Sequence, residues 1–338
     1  MKTSFGSLVC ALLLLVGSAS ADPFTEDMFY TVFGGFPRVF KTTVSFDGAV
    51  TFTIAPSSVV SSGHGADGIA GNPNDSGSLL VGAQGAAVHR ISKTGAGILQ
   101  TVGTPAFASF HLEVADSTTM YSSGIPSGGV NRITLLAGGA MGAVTGLPAL
   151  DLATGAPSSV TQVITTPFGD FYTSSGGGGF GTFGSLLIGG ASVLTTPILL
   201  GLPAAHGGVY DPFTGTIFLF GDDHITQVSL LGVVLSDLDF AAAGMGFVNF
   251  DQGTVDGSGH LFAASNDGSL FMMDYSSTGL LTFAHPDSLT FLHSQLDDIA
   301  PLVGAGDTTN PIPEPGTFVL FGLALAGYTR HRRRRKAA

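Results

Sequence analysis

Aspartate, glutamate and histidine residues recur along this 338-residue sequence at the starts of segments of similar length, and these residue types bind divalent cations. They are Asp67, His111, Glu113, His206, Asp211, Asp251, Asp297 and Asp298. Carboxylates and imidazoles that converge on one point would hold Ca²⁺, or another divalent metal acting as a Lewis acid. Ca²⁺ is the candidate cofactor, and the candidate ligands are Asp67, Asp211, Asp251, Asp297 and Asp298. The alternative is that these acids cap turns and stay hydrated.

No catalytic residue is predicted, because the expected patterns are missing. The sequence contains neither an Asp-x-Asp-x-Asp loop nor a His-x-x-x-His pair. The glycine run 176–179 lacks the Lys-Ser/Thr that a phosphate-binding loop requires. These observations favour a protein without enzymatic activity. A hydrolase or lyase remains an alternative, and it would need histidine and carboxylate groups within hydrogen-bonding reach of a pocket.

A repeat of strand-like segments would position these side chains. Comparable segments begin near residues 65, 111, 161, 206, 251 and 297, at intervals of 46, 50, 45, 45 and 46 residues. This period fits one four-stranded blade of a β-propeller, whose first strand lines a central channel. Within the units we predict strands separated by turn residues such as Asp222 and Gly268. The predicted runs include 78–82, 87–92, 118–122, 130–135, 168–173, 183–188, 216–220, 225–230, 232–238, 260–264, 269–274 and 279–284.

The two ends of this repeat complete each other. The unit at Asp297 has room for one strand, whereas the N-terminal part supplies three, at 29–33, 38–46 and 49–54. We therefore predict an all-β fold, a six-bladed β-propeller closed by pairing of N- and C-terminal strands. A β-helix is the alternative, although a parallel solenoid does not use hairpin turns within each unit.

Composition agrees with an all-β chain that is exported. The sequence has 50 glycines, no tryptophan, 11% charged residues and a mean hydropathy of +0.42. Between its two ends lie five basic residues and 23 acidic ones, a formal charge of −18. Such a segment repels nucleic acid and anionic polysaccharide unless cations bridge them. The acids also keep a lysine-poor surface soluble.

The N-terminal residues 1–21 have the features of a cleaved signal peptide. Lys2 precedes an apolar run at 8–16, and Ala19 and Ala21 provide small side chains for signal peptidase, which would cut before Asp22. A retained anchor is the alternative, but the apolar run is far shorter than the roughly 20 residues that span a bilayer. A lipoprotein acylated at Cys10, the single cysteine, is disfavoured because Val9 precedes it.

The C-terminal residues 309–338 combine three features in a fixed order. Pro313, Glu314 and Pro315 precede the apolar stretch 317–329, and a basic tail follows it, with Arg330, Arg332, Arg333, Arg334 and Arg335. This order resembles the PEP-CTERM sorting signal of Gram-negative bacteria that make extracellular polysaccharide. The resemblance implies recognition of Pro-Glu-Pro by an exosortase. The apolar stretch would enter the inner membrane transiently as a helix while the arginines stay in the cytoplasm. A plain C-terminal membrane anchor is the alternative.

These features divide the chain into a signal peptide (1–21), a body (22–308) and a sorting signal (309–338). In its unit patterns the body is similar to bacterial propellers of the NHL and lactonase-like groups, but it matches none of their catalytic motifs. We predict an acidic protein secreted through the inner membrane to the cell surface or extracellular matrix, where it is a structural or interaction component of an exopolysaccharide matrix. The alternatives are a carbohydrate- or Ca²⁺-binding module, or an enzyme acting at the propeller mouth.

Overall fold

The computed structural model describes residues 23–34, 38–124, 128–175 and 180–300. Within these ranges the chain forms β-strands, turns and one short 3-10 helix, Ala137–Gly139, so the predicted all-β class is confirmed. Among the described residues, no helix has the length and apolar character needed to span a membrane. The predicted signal peptide and sorting signal, with its apolar stretch, lie outside the described residues.

Twenty-five strands are described. In chain order they are β1 (Phe24–Val32), β2 (Arg38–Phe46), β3 (Phe52–Ile54), β4 (Ser58–Ser62), β5 (Ile69–Gly71), β6 (Ser78–Gly82), β7 (Ala87–Ser92), β8 (Ile98–Gly103), β9 (His111–Asp116), β10 (Thr119–Ser123), β11 (Gly129–Leu135), β12 (Met141–Asp151), β13 (Gln162–Thr166), β14 (Gly169–Ser175), β15 (Gly181–Ile188), β16 (Val193–Leu202), β17 (Gly207–Asp211), β18 (Thr216–Gly221), β19 (His224–Val228), β20 (Val234–Asp239), β21 (Phe250–Val255), β22 (His260–Ser265), β23 (Ser269–Asp274), β24 (Asp287–Phe291) and β25 (Leu296–Ile299).

Three groups of four consecutive strands form separate antiparallel sheets, namely β5–β8, β17–β20 and β21–β24. Tight hairpins connect neighbouring strands within each sheet. Asp223 and Gly268 adopt the positive φ that such turns need, at 56° and 103°. The last strand of the third group is β24, so the prediction of a strand at 279–284 is wrong. That segment is a loop whose Leu281 is buried in the core, which explains why its apolar sequence resembles a strand.

Two further groups of four strands share one eight-stranded sheet, of order β13-β14-β15-β16-β12-β11-β10-β9. The sequence predicts them as separate units. Strand β12 is long enough to extend beyond its partner β11, and its last residues pair in parallel with β16, Ala149 opposite Val193 and Asp151 opposite Thr195. The parallel pairing of β12 with β16 therefore joins two units, each of which is otherwise an antiparallel meander.

The remaining sheet combines both ends of the described chain, in the order β25-β1-β2-β3, with β4 also pairing with β2. Tyr30 lies opposite Ile299, and Val32 lies opposite Leu296. The Thr31 hydroxyl accepts a hydrogen bond from the backbone nitrogen of Asp298 at 3.0 Å. The predicted pairing partners, a C-terminal strand and N-terminal strands, thus lie in one sheet, although β4 has no counterpart in the sequence prediction.

The core consists of six hydrophobic clusters among the described residues, each between neighbouring groups of strands. In one of them Phe240 packs edge-on against Phe250, Phe271 and Phe283, at centroid distances of 4.8, 4.9 and 5.1 Å. Another joins β22 and β23 to the sheet of the chain ends. Middle strands such as β18 and β22 are buried on both faces, which accounts for their continuous apolar runs.

Candidate functional site

Each group of strands has one strand that contacts the corresponding strand of the next group. These strands, here called the first strands, are β5, β9, β13, β17, β21 and β25, and β25 in turn contacts β5. Their backbones approach closely, since a Cβ atom on Gly207 would lie 2.2 Å from the carbonyl oxygen of Asp251. At one end of these strands is a cavity of about 250 Å³. The polar side chains that line it include Asp67, Gln84, His111, His206, Asp251 and Asp297.

His206 and Asp251 form a hydrogen-bonded pair in this cavity. The distance from His206 Nε2 to Asp251 Oδ1 is 2.9 Å, and His206 Nδ1 lies 3.2 Å from the Ser175 hydroxyl. Burial raises the pKa of Asp251, but the charge and hydrogen bond of His206, with the charge of His111, lower it below its usual value overall. Asp251 is therefore the carboxylate of the site that is held in its ionised form.

His111 is the first residue of β9 and lies beside this pair. Its ring is 5.1 Å from the His206 ring, edge to face, and its Nδ1 lies 3.5 Å from Asp298 Oδ2. Its side chain is only 1% exposed, and neither ring nitrogen has a hydrogen-bond partner. A buried imidazole without partners costs free energy, because it has lost its hydrogen bonds to water.

Three further aspartates are buried around the same point. Burial and the charges of Asp298 and Asp251 raise the pKa of Asp67 to about 8. Burial, followed by the charges of neighbouring aspartates, raises the pKa of Asp297 and of Asp298 well above the usual range. With its amide nitrogen facing Asp298, Gln252 donates to both carboxylate oxygens, at 2.9 Å to Oδ1. Burial and mutual repulsion thus favour the protonated, uncharged form of these three carboxyl groups.

Potential ligand atoms fall into two overlapping groups. One donor atom from each of His111, His206 and Asp251 lies within 4.8 Å of the other two, and the same holds for Asp67, Asp251 and Asp298. The structure thus brings together four of the five aspartates proposed as ligands from the sequence, because Asp297 lines the same cavity. Either group could hold a divalent cation, and that function stays a prediction.

Asp211 and Glu113 do not join this group. Asp211, the last residue of β17, accepts hydrogen bonds from the backbone of Phe213 at 3.0 Å and from the backbone and hydroxyl of Thr214 at 3.1 and 2.5 Å. Glu113 accepts bonds from the Thr165 backbone at 2.8 Å and hydroxyl at 2.5 Å, and burial raises its pKa to about 7. Asp211 therefore stabilises its own turn, and Glu113 connects β9 to β13.

The Asp211 turn recurs in the chain, and the recurrence provides a controlled test. Both Asp211-x-x-Thr-Gly and Asp151-x-x-Thr-Gly end on a glycine of positive φ, 69° at Gly215 and 70° at Gly155. Replacing the buried Asp211 with alanine removes the acceptor of the Phe213 and Thr214 backbone nitrogens, whereas the Thr214 hydroxyl keeps Thr216 as a partner. The change should lower the free energy of unfolding by about 1–3 kcal/mol. The change Asp151→Ala exposes its donors to water and should cost much less. Denaturant titration measures both, and equal losses would contradict this role of Asp211.

Several residues of the site were not predicted from the sequence. They are Gln84 and Asn266, which line the cavity, Gln252, which contacts Asp298, and Gln162, which contacts Gln252. Asn266 donates to Asp251 Oδ1 at 3.3 Å. Gln84 has a φ of 57°, a conformation that no local sequence signal reveals. The predicted processing residues Ala19, Ala21, Asp22, Pro313, Glu314, Pro315, Arg330, Arg332, Arg333, Arg334 and Arg335 lie outside the described residues.

The solved structures that show weak similarity to this chain are of different proteins. They include Sqt1 of Saccharomyces cerevisiae (TM-score 0.41, 12% identity, 68% of this chain and 63% of that one). YCF48 bound to D1 peptide has a TM-score of 0.42 at 11% identity, covering 78% of this chain and 85% of that one. The dihydro-heme d1 dehydrogenase NirN in complex with DHE has a TM-score of 0.43 at 14% identity, covering 74% of this chain and 52% of that one. Likeness of this degree assigns no function.

The C-terminus gives a specific match. No curated protein sequence matches the chain. A family model described as the PEP-CTERM protein-sorting motif matches residues 311–335, which include the Pro-Glu-Pro, the apolar stretch and most of the basic tail. The motif implies exosortase-dependent processing, with export to the surface or the extracellular space of a bacterium. The chain therefore carries a PEP-CTERM sorting motif, as its sequence predicts, and the part that the structure describes is all-β.

Proposed function

We propose that this chain is a structural or interaction component of the extracellular polysaccharide matrix of a Gram-negative bacterium. Signal peptidase would remove residues 1–21, and an exosortase would process the chain near residues 313–315. The main support for the proposal is the sorting motif at 311–335, because this motif implies export of the body to the cell exterior. Prolines on both sides of Glu314 disfavour a helix, so the motif offers an extended segment to a protease.

The body, in this proposal, is a six-bladed β-propeller. Each of the six strand groups counts as one blade, including the two that share an eight-stranded sheet. The sequence of contacts between first strands, which returns from β25 to β5, supports a ring. The pairing of β25 with β1 would then join the ends of the chain in one blade. Such closure leaves no apolar blade face exposed to solvent.

The charge of the body determines how it could contact a polysaccharide. At a formal charge of −18 it repels acidic sugars, so binding to them requires divalent cations between the two surfaces. Neutral sugars would need no cation. Nucleic acid is not a proposed partner, because the same negative charge repels its phosphates. The proposed contact with an acidic matrix is therefore cation-dependent.

Co-sedimentation with the polysaccharide of the host tests this function. The exported protein should sediment with the purified polysaccharide in the presence of millimolar Ca²⁺ and return to the supernatant when EDTA is added. Neutral dextran serves as the control polymer and should bind in neither condition. Protein that stays in the supernatant with the host polysaccharide, with and without Ca²⁺, would rule out the matrix contact.

A further inference from the structure

We propose that His111, His206 and Asp251 bind one divalent transition-metal ion, such as Zn²⁺, at the end of the first strands, with Asp67 and Asp298 beside it. This assignment differs from the Ca²⁺ site expected from the aspartates alone, both in its ligands and in the class of metal. It also stands independently of how the chain is sorted, because it rests on side chains inside the body.

The distances suit such an ion. Zn²⁺ binds imidazole nitrogen and carboxylate oxygen at about 2.0–2.2 Å, which places neighbouring donors of a tetrahedron about 3.3–3.6 Å apart. His206 Nε2 and Asp251 Oδ1 are 2.9 Å apart, and the donor atoms of all three residues lie within 4.8 Å of one another. Small side-chain rotations would therefore complete a three-ligand set. The adjoining cavity of about 250 Å³ leaves space for water or an external ligand in a fourth position.

The buried ring nitrogens of His111, which have no hydrogen-bond partner, indicate a ligand. Its ring is buried, it borders the cavity, and neither nitrogen forms a hydrogen bond to the protein. Nearly all buried polar groups have partners, so an exception needs a physical cause. A metal bound to one nitrogen would satisfy that atom.

The charge balance also favours a cation. The polar lining of the cavity contains three aspartates and two histidines, and within the described residues no lysine or arginine borders it. Asp298 lies next to them and is fully buried. Ionising buried carboxyl groups without a compensating charge is costly, and a doubly charged ion would offset two ionised carboxylates. A cation would thus explain why the body tolerates so many acids at one point.

The ligand types select the class of metal. Ca²⁺ takes six to eight oxygen ligands and has little affinity for imidazole. Two imidazoles and one carboxylate with an open position instead suit Zn²⁺ or a related transition metal. The second group, Asp67, Asp251 and Asp298, shares Asp251 with the first and would supply the surrounding negative charge.

Metal titration tests the proposal on untagged, metal-free protein exported by its host. Isothermal titration with ZnCl₂ should show one ion per chain, and CaCl₂ should not displace it. The changes His111→Gln and His206→Gln should each weaken Zn²⁺ binding by about 100-fold or more. His224→Gln is the matched control, because His224 also pairs with an aspartate at 2.9 Å, Asp237, and is about as exposed as His206 but does not line the cavity. Its Zn²⁺ affinity should be unchanged.

X-ray absorption of the unaltered Zn²⁺-loaded protein covers the case in which a variant fails to fold. Two imidazole ligands in the first coordination shell are the expected result. A shell without imidazole would overturn the proposal, as would the absence of Zn²⁺ binding. Zn²⁺ binding that the His206 and His224 substitutions weaken equally would also overturn the proposal. Stoichiometric binding of Ca²⁺ in place of Zn²⁺ would instead indicate a Ca²⁺ site with oxygen ligands.

Discussion

Replacing both Leu296 and Ile299 with alanine is expected to lower the melting temperature of the exported protein by roughly 10 °C or more. Both side chains are buried, in a cluster that includes Tyr30 of β1 and Phe262 of β22. A buried Leu or Ile replaced by alanine costs about 2–5 kcal/mol, so the pair removes a large part of a typical net stability of about 5–15 kcal/mol. The loss is this large only if the chain end is locked into the body as the closing strand of a ring.

Matched substitutions on the surface isolate the effect of closure. Leu200 and Leu231 are 72% and 87% exposed, and their replacement by alanine should shift the melting temperature by less than about 2 °C. In an open stack of sheets the last strand would fray, and its apolar side chains would contribute little. A Leu296/Ile299 double variant that melts within about 2 °C of the unaltered protein, by calorimetry, would contradict the closed ring.

Local sequence patterns were sufficient to predict many strands. The bounds predicted at 38–46, 78–82, 87–92 and 269–274 coincide with those of β2, β6, β7 and β23. In these cases an apolar run is bounded by turn residues, and both signals agree. The loop at 279–284 was misassigned because Leu281 is apolar for a tertiary reason, its burial against the neighbouring sheet.

Pairing between distant strands was harder to predict. The parallel contact of β12 with β16 depends on β12 extending past the end of β11, and strand length is poorly encoded in hydrophobic periodicity. The pairing of β25 with β1 could be expected, because the repeat leaves one strand at one end and several at the other. Counting units thus predicted a long-range contact that no local pattern contains.

The candidate site was predictable in outline. Asp67, Asp251 and Asp297 converge because they lie in or just before first strands, as the repeat indicated. Asp211 is the last residue of its first strand, and its Asp-x-x-Thr-Gly turn, repeated at Asp151, is the signal that could have assigned it correctly. The missing partners of His111 depend on packing between sheets, which no local sequence pattern shows.

The other large expected effect concerns the ends of the chain. Export followed by exosortase processing should leave a protein that begins at Asp22 and ends near residues 313–315. The arginines that follow residue 329 are costly to move across hydrocarbon, so they should stay in the cytoplasm and be separated from the exported body. The change is all-or-none, because the basic tail is either removed or retained. Alanine at Pro313, Glu314 and Pro315 should keep the tail attached.

Mass spectrometry of the exported protein tests the central claim, that this is an exosortase-sorted surface protein. Intact mass and terminal peptides should show an N-terminus at Asp22 and no peptide that contains Arg332 or Lys336. The alanine variant in the same host provides the reference, since its membrane fraction should still contain the arginine-rich tail. Extracellular protein that retains residues 330–336 would contradict processing at the sorting motif.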